Sequence, residues 1–127
     1  MPSTQTLERF IARVESNAHA EAIEEFYTEA ATMRENMGTL RVGRAALAAQ
    51  ERATLSKVRA VHSRCVRPVL VNGDVVVVRW IFRFEGRDGR VRELEELAWQ
   101  RWDGERIAEE QFFYDPAQFA WREPVKA

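Results

Sequence analysis

The sequence predicts an α+β fold, with helices in the first part of the chain and an antiparallel sheet in the rest. Three observations carry this. Apolar residues recur at helical spacing in the N-terminal region. From Val58 onward the chain is rich in β-branched and aromatic residues. Three glycine-containing turns, at Asn72-Gly73-Asp74, Arg87-Asp88-Gly89 and Asp103-Gly104, cut that second part into strand-length segments. Helices and strands segregated along the chain, rather than alternating, mark the α+β layout.

Leu7, Phe10, Ile11 and Val14 fall at i, i+3, i+4 and i+7, the buried stripe of a first helix that Thr4 or Thr6 would cap. Ser16-Asn17 interrupts the pattern, and Asn17 is the expected N-cap of a second helix that buries Ile23, Phe26 and Tyr27. Thr28 to Asn36 reads as a strand with Ala31, Met33 and Glu35 on one side, closed by a turn at Met37-Gly38. Gly43 precedes a third helix, Arg44 to about Lys57, whose alanines would let it lie close to a sheet. Val58–Val71 is one long strand, or two with a bulge at Pro68, because proline cannot donate to the ladder. Val75–Glu85, Val91–Trp102 and Ile107–Asp115 follow, and Pro116 ends the last.

The 127 residues suffice for one domain, 1–127, and 46% of them are apolar against 31% charged, a globular balance. A net charge of −1 argues against a nucleic-acid partner. The basic segment Lys57–Arg92 and the acidic segment Glu93–Asp115 would face each other as neighbouring strands. No apolar run approaches the roughly 20 residues of a membrane span, and Met1-Pro2-Ser3-Thr4-Gln5 lacks the order of a signal peptide. With Cys65 as the lone cysteine, a buried inert thiol, a cytoplasmic setting is expected. No CxxC, HExxH or glycine-rich phosphate loop is present, so neither metal nor cofactor is expected.

In Val75–Glu85 the bulkier set, Val76, Val78, Trp80, Phe82 and Phe84, should line the inner side of the sheet. The other set, Val75, Val77, Arg79, Ile81 and Arg83, is half apolar. With Leu97 and Trp99, whose register is ambiguous by one residue, it points to a homodimer through the outer sheet face.

Four strings, in this order and spacing, resemble the nuclear transport factor 2-like superfamily of SnoaL-like domains. They are Phe26-Tyr27-Thr28-Glu29-Ala30-Ala31-Thr32-Met33-Arg34-Glu35-Asn36, Gly43-Arg44-Ala45-Ala46-Leu47, Trp102-Asp103-Gly104-Glu105-Arg106-Ile107, and Phe112-Phe113-Tyr114-Asp115-Pro116. The resemblance implies a cone: three N-terminal helices in the concave face of a curved, mostly antiparallel sheet, enclosing an apolar pocket. It also places the general-base carboxylate of ketosteroid isomerases on Glu35. The isomerases' oxyanion-binding tyrosine falls near Phe10, their protonated acid near Ala98, and the inward acid of epoxide hydrolases near Phe112, so neither constellation is complete here.

Glu35 is the candidate general base, since burial beside Met33 would raise its pKa. The competing reading is a strand-end glutamate paired with an arginine. His62 is the candidate partner for a ligand carbonyl if it points inward, and otherwise a surface histidine. His19 is expected to be solvated. At least one of Glu95, Glu96 and Glu110 could point inward as a second pocket carboxylate, but the favoured reading is that they pair with Arg79, Arg83 or Arg92. Phe10, Tyr27, Met33, Trp80, Phe82, Trp99, Phe112 and Tyr114 are the candidate ligand-binding wall, which core packing would explain equally well. The expected function is capture of an apolar small molecule, with proton transfer beside a carbonyl. The alternative is a non-catalytic binding or dimeric assembly module.

Overall fold

A computed structural model describes residues 1–124. The helices are α1 (Thr4–Glu15), α2 (His19–Phe26) and α3 (Arg44–Ser56). The strands are β1 (Tyr27–Glu35), β2 (Arg41–Val42), β3 (Ala60–Asn72), β4 (Val75–Glu85), β5 (Val91–Asp103) and β6 (Arg106–Phe113), and a 3-10 turn spans Pro116–Phe119. One sheet runs β2-β1-β6-β5-β4-β3. Every pairing is antiparallel except that of β1 with β6. The helices pack on its inner face, as expected.

The stripe read from the sequence is the one α1 buries: Leu7, Phe10, Ile11 and Val14. The cap is Ser3 rather than Thr4 or Thr6. Its Oγ accepts from the Thr6 backbone N–H at 3.1 Å, while Glu105 accepts from the Ser3 backbone N–H and hydroxyl. Asn17 does not cap α2 with its side chain. It takes a positive φ of 70° and donates its N–H to the Val14 carbonyl, so it terminates α1. Asparagine tolerates the left-handed region better than most residues, which suits this end role. In α3 only Leu47 and Ala48 are buried, and Ala45, Ala46 and Ala49 face outward. Of the alanines only Ala48 is buried, and α3 rests on α2 and on the β1 end of the sheet.

β3 is one strand, with its register to β4 shifting between Val66 and Leu70, around Pro68. The proline is accommodated at an edge strand, where a missing donor costs least. β2 is a two-residue edge that the sequence reading did not include. Opposite charges do meet across the sheet, as Arg79 with Glu95, Arg101 with Glu109 and Arg59 with Glu85. All but the half-buried Glu85 are exposed side chains, so together they set register more than stability.

The core is a continuous cluster between the helices and the inner faces of β4, β5 and β6. Phe10 is its hub, edge-on to Phe26 at 5.5 Å, Trp102 at 5.8 Å and Trp80 at 6.4 Å. Beyond β6 the chain folds back. Arg122 bridges to Val91, and the Arg92 guanidinium lies over the rings of Phe84, Phe119 and Trp121 at 5.3, 5.0 and 4.3 Å. Among the described residues no helix is long and apolar enough to cross a membrane.

Because Phe10 touches three rings from three elements, Phe10→Ala should lower the unfolding free energy by about 3–5 kcal/mol in urea titrations. His62→Ala, a change on the outer face, should alter it by less than about 0.5 kcal/mol.

Candidate functional site

A cavity of about 240 Å³ lies between the helices and the inner face of the sheet. Its floor is built from buried residues of α1, α2, β1, β4, β5 and β6, among them Phe10, Ile23, Tyr27, Met33, Trp80, Phe82, Leu94, Glu96 and Glu110. Its mouth is marked by exposed lining residues, Glu35, Gln50 and Thr54. The strand period of two dictates this composition. The β4–β5 register sets Phe82 opposite Leu94, Trp80 opposite Glu96 and Val78 opposite Ala98, so all six share the inner face.

Of the expected wall, Phe10, Tyr27, Met33, Trp80, Phe82 and Phe112 line the cavity. Trp99 does not: it pairs with Val77, on the outer face. Placing Glu96 and Ala98 inward turns every odd-numbered neighbour from Glu93 to Arg101 outward, which settles the one-residue ambiguity. Tyr114 stands beside Glu35 and edge-on to Phe119 at 5.3 Å, outside the cavity lining. Burial and the neighbouring charges of Glu35 and Glu96 push its phenol up to about 12.

The two candidate catalytic residues are not brought together. Glu35 lines the cavity, but at the solvent-exposed mouth rather than in the apolar interior expected of it. It is the last residue of β1, before the chain turns at Asn36, whose N–H donates to the Phe112 carbonyl. His62 falls on the outer face of β3, with its side chain 61% exposed and Nε2 3.6 Å from Glu85. The site is therefore built without it.

The dry carboxyls are Glu96 and Glu110, 8% and 3% exposed. Glu110 anchors a hydrogen-bonded chain. The Tyr27 hydroxyl donates to its Oε1, Gln100 Nε2 donates to its Oε2 at 2.7 Å, and Trp102 Nε1 donates to Gln100 Oε1 at 3.0 Å. Burial raises its pKa to about 7, against the opposing pull of the Tyr27 and Gln100 donors. Glu96 has no such donors: it makes no side-chain hydrogen bond among the described residues. Burial, then the charges of Glu110, Glu35 and Glu51, lift it to about 8. Tyr27, fully buried beside Glu110, is pushed well above the ordinary phenol range by burial first and that carboxyl second. Gln100, opposite Glu110 on β5, is four residues from Glu96. About 13 Å of strand thus separates the anchor points, and the two acids do not share a proton but flank the cavity.

A second polar group lies at the α2–α3 side. His19, expected in solvent, is 9% exposed, with Nδ1 3.3 Å from Glu51 Oε1 and Nε2 2.7 Å from Ser63 Oγ. His19 and Glu51 both line the cavity. No local signal marked this trio, since its partners are 32 and 44 residues from His19.

Solved structures share the fold at low identity. One is a ketosteroid isomerase-like protein of Catenulispora acidiphila in complex with trimethylamine (16% identity, 91% of this chain and 89% of that one, TM-score 0.75). Another is a SnoaL-like, polyketide cyclase-like protein of Mesorhizobium loti (20%, 90% and 100%, TM-score 0.74). A third is an epoxide hydrolase-like protein of Mycobacterium tuberculosis (12%, 90% and 83%, TM-score 0.73). No curated protein sequence matches the chain. The family model of the SnoaL-like domain matches residues 7–110, most of the chain, so this protein belongs to the SnoaL-like domain family.

Proposed function

We propose that this protein is an enzyme of isomerase, cyclase or dehydratase type that moves a proton beside the carbonyl group of a small apolar compound, using carboxyl groups alone. The observation that carries this is Glu96, a buried carboxyl facing the cavity that hydrogen-bonds to no other side chain among the described residues, set across from a second buried carboxyl of lower pKa. Environments that push two carboxyls apart assign them different roles. At neutral pH Glu96, at about 8, is mainly protonated and donates to the ligand's carbonyl oxygen. Glu110, at about 7, is ionised in a large fraction of molecules and accepts the proton from the adjacent carbon. Glu35 serves at the mouth, where a hydrated carboxylate admits or orients the ligand. Sheet and helices exclude water from the floor, which strengthens each of these interactions. At about 240 Å³ the cavity sits just below the usual ~300–1,000 Å³ of small-molecule sites, so a compound of one or two rings fits. The polyketide cyclase-like and epoxide hydrolase-like neighbours support this class of ligand. An open cavity with polar groups on several walls favours turnover over the alternative, a binding module without chemistry.

The outer face supports a homodimer. Leu70, Val77 and Trp99 follow one another across β3, β4 and β5, and Leu97 with Phe113 continues the stripe onto β6. Leu97 is 46% exposed, which is costly for a leucine facing only water. A buried, free Cys65 fits a cytoplasmic setting.

Exchange of the α-hydrogens of 2-tetralone with deuterium oxide, followed by NMR, tests the chemistry. Wild type should accelerate exchange with a bell-shaped pH profile rising near 7 and falling near 8. Glu96→Gln and Glu110→Gln should each reduce it by about 10²–10⁴-fold. Unchanged exchange in both variants sinks the reading.

Stability gives a check that needs no substrate. Both carboxyls have folded-state pKa values above the ordinary ~4.3, so their neutral forms favour folding. That contribution is complete below about pH 4 and is lost as pH rises through about 7 for Glu110 and about 8 for Glu96. Urea titrations should show wild type losing stability between about pH 4 and pH 8, and Glu96→Gln losing less. For the outer face, Leu97→Glu should shift sedimentation equilibrium from dimer toward monomer.

A further inference from the structure

Apart from the two buried acids, one cluster of side chains has the arrangement of an activated nucleophile. Ser63 of β3, His19 of α2 and Glu51 of α3 meet at hydrogen-bond distances, Oγ to Nε2 at 2.7 Å and Nδ1 to Oε1 at 3.3 Å. Three separate elements supply one residue each, so the meeting is a product of the tertiary fold. The His19 ring is held against Phe82, with centroids 5.0 Å apart, and is nearly removed from bulk water. Ser63 is only half-buried and stays accessible.

We propose that Ser63, His19 and Glu51 form a nucleophilic relay that accepts acyl groups from small neutral carboxylic esters. With Nδ1–H donated to the Glu51 carboxylate, the lone pair of His19 Nε2 faces the Ser63 hydroxyl, the tautomer a general base needs. As Ser63 Oγ bonds to the ester carbonyl carbon, its proton passes to His19 Nε2. The bond to the leaving alkoxy oxygen then breaks, and His19 returns the proton to that oxygen, leaving an acyl-serine and a free alcohol. Water attacks the acyl-serine in turn, giving its proton to His19, and release of the carboxylic acid restores the Ser63 hydroxyl. Glu51 acts through the imidazole and is a positioning residue. A neutral ester is favoured because the adjoining cavity is aromatic and its acidic lining, Glu51 and the partly ionised Glu110, repels a carboxylate-bearing substrate. Of the relay, His19 and Glu51 line the cavity and Ser63 does not, and because Glu51 also acts on Glu96 and Glu110 it is Ser63→Ala that separates the two chemistries.

p-Nitrophenyl acetate is the probe, with p-nitrophenolate release followed by absorbance and the acetyl group located by peptide mass mapping. Wild type should carry acetyl on Ser63, and Ser63→Ala should abolish that adduct. His19→Gln should slow acylation by about 10²–10⁴-fold. Glu51→Gln should slow it less and alter its pH profile, which a merely structural role would not do. His62→Gln, on the outer face, should match wild type. Should His19→Gln fail to fold, the smaller Ser63→Ala and Glu51→Gln changes carry the test. Acetyl found only on other residues, or on Ser63 at the wild-type rate in the His19 and Glu51 variants, overturns the proposal.

Discussion

Removing a carboxylate from water is expensive, and the cavity floor imposes that cost twice, at Glu96 and Glu110. The aromatic inner face of β4 and β5 keeps the floor dry on one side, and α1 and α2 cover it from the other. Phe10, wedged among Phe26, Trp80 and Trp102, joins the two layers. The same packing that stabilises the fold therefore sets the protonation state of the site. Loosening it would let water in and return both acids toward the ordinary carboxylate range.

Glu110 and Glu96 meet this cost differently. Glu110 is held by donors from Tyr27 and Gln100, the latter itself steadied through Trp102, so its position is fixed whatever its charge. Glu96 has no donor among the described residues, and holding a proton or meeting a ligand relieves the cost of its burial. An acid that the protein leaves unsatisfied is suited to hydrogen-bond something that arrives from outside.

Most of the fold was legible because it rests on short-range patterns. The i, i+3, i+4, i+7 stripe of α1 and the alternation in β4 each survive translation into the structure unchanged. The site was legible only up to a parity. In β5 the hairpin register left two faces open, and cross-strand pairing with β4 put Glu96 inward and Trp99 outward. The family resemblance pointed to Ala98 and Phe112. The buried acids sit two residues before each, on the same strand faces, which is how a period of two hides a carboxyl from a position-by-position comparison. Glu35 and His62 stand apart from the buried acids for opposite reasons. Glu35 keeps the right face at the wrong depth, at a strand end, whereas His62 takes the wrong face of an edge strand. His19 could not be read at all, since nothing near it in the chain announces Glu51 or Ser63.

The near-neutral charge conceals how the cations are distributed. The sequence carries 19 lysines and arginines, ample to neutralise every cavity acid. Yet Arg79, Arg101, Arg59, Arg67 and Arg52 are engaged outside, with Glu95, Glu109, Glu85, Glu8 and Glu24. Of the two arginines that line the cavity, Arg92 is held over Phe84, Phe119 and Trp121, where burial lowers its pKa and leaves its Nε without a partner. Arg41 only slightly offsets the rise at Glu110. Glu51, by contrast, adds its negative charge to the forces raising both Glu96 and Glu110. The surface ion pairs contribute little energy of their own. Their effect on the site is to keep arginines away from it, so that the acids remain poised near neutrality instead of being fixed as salt bridges.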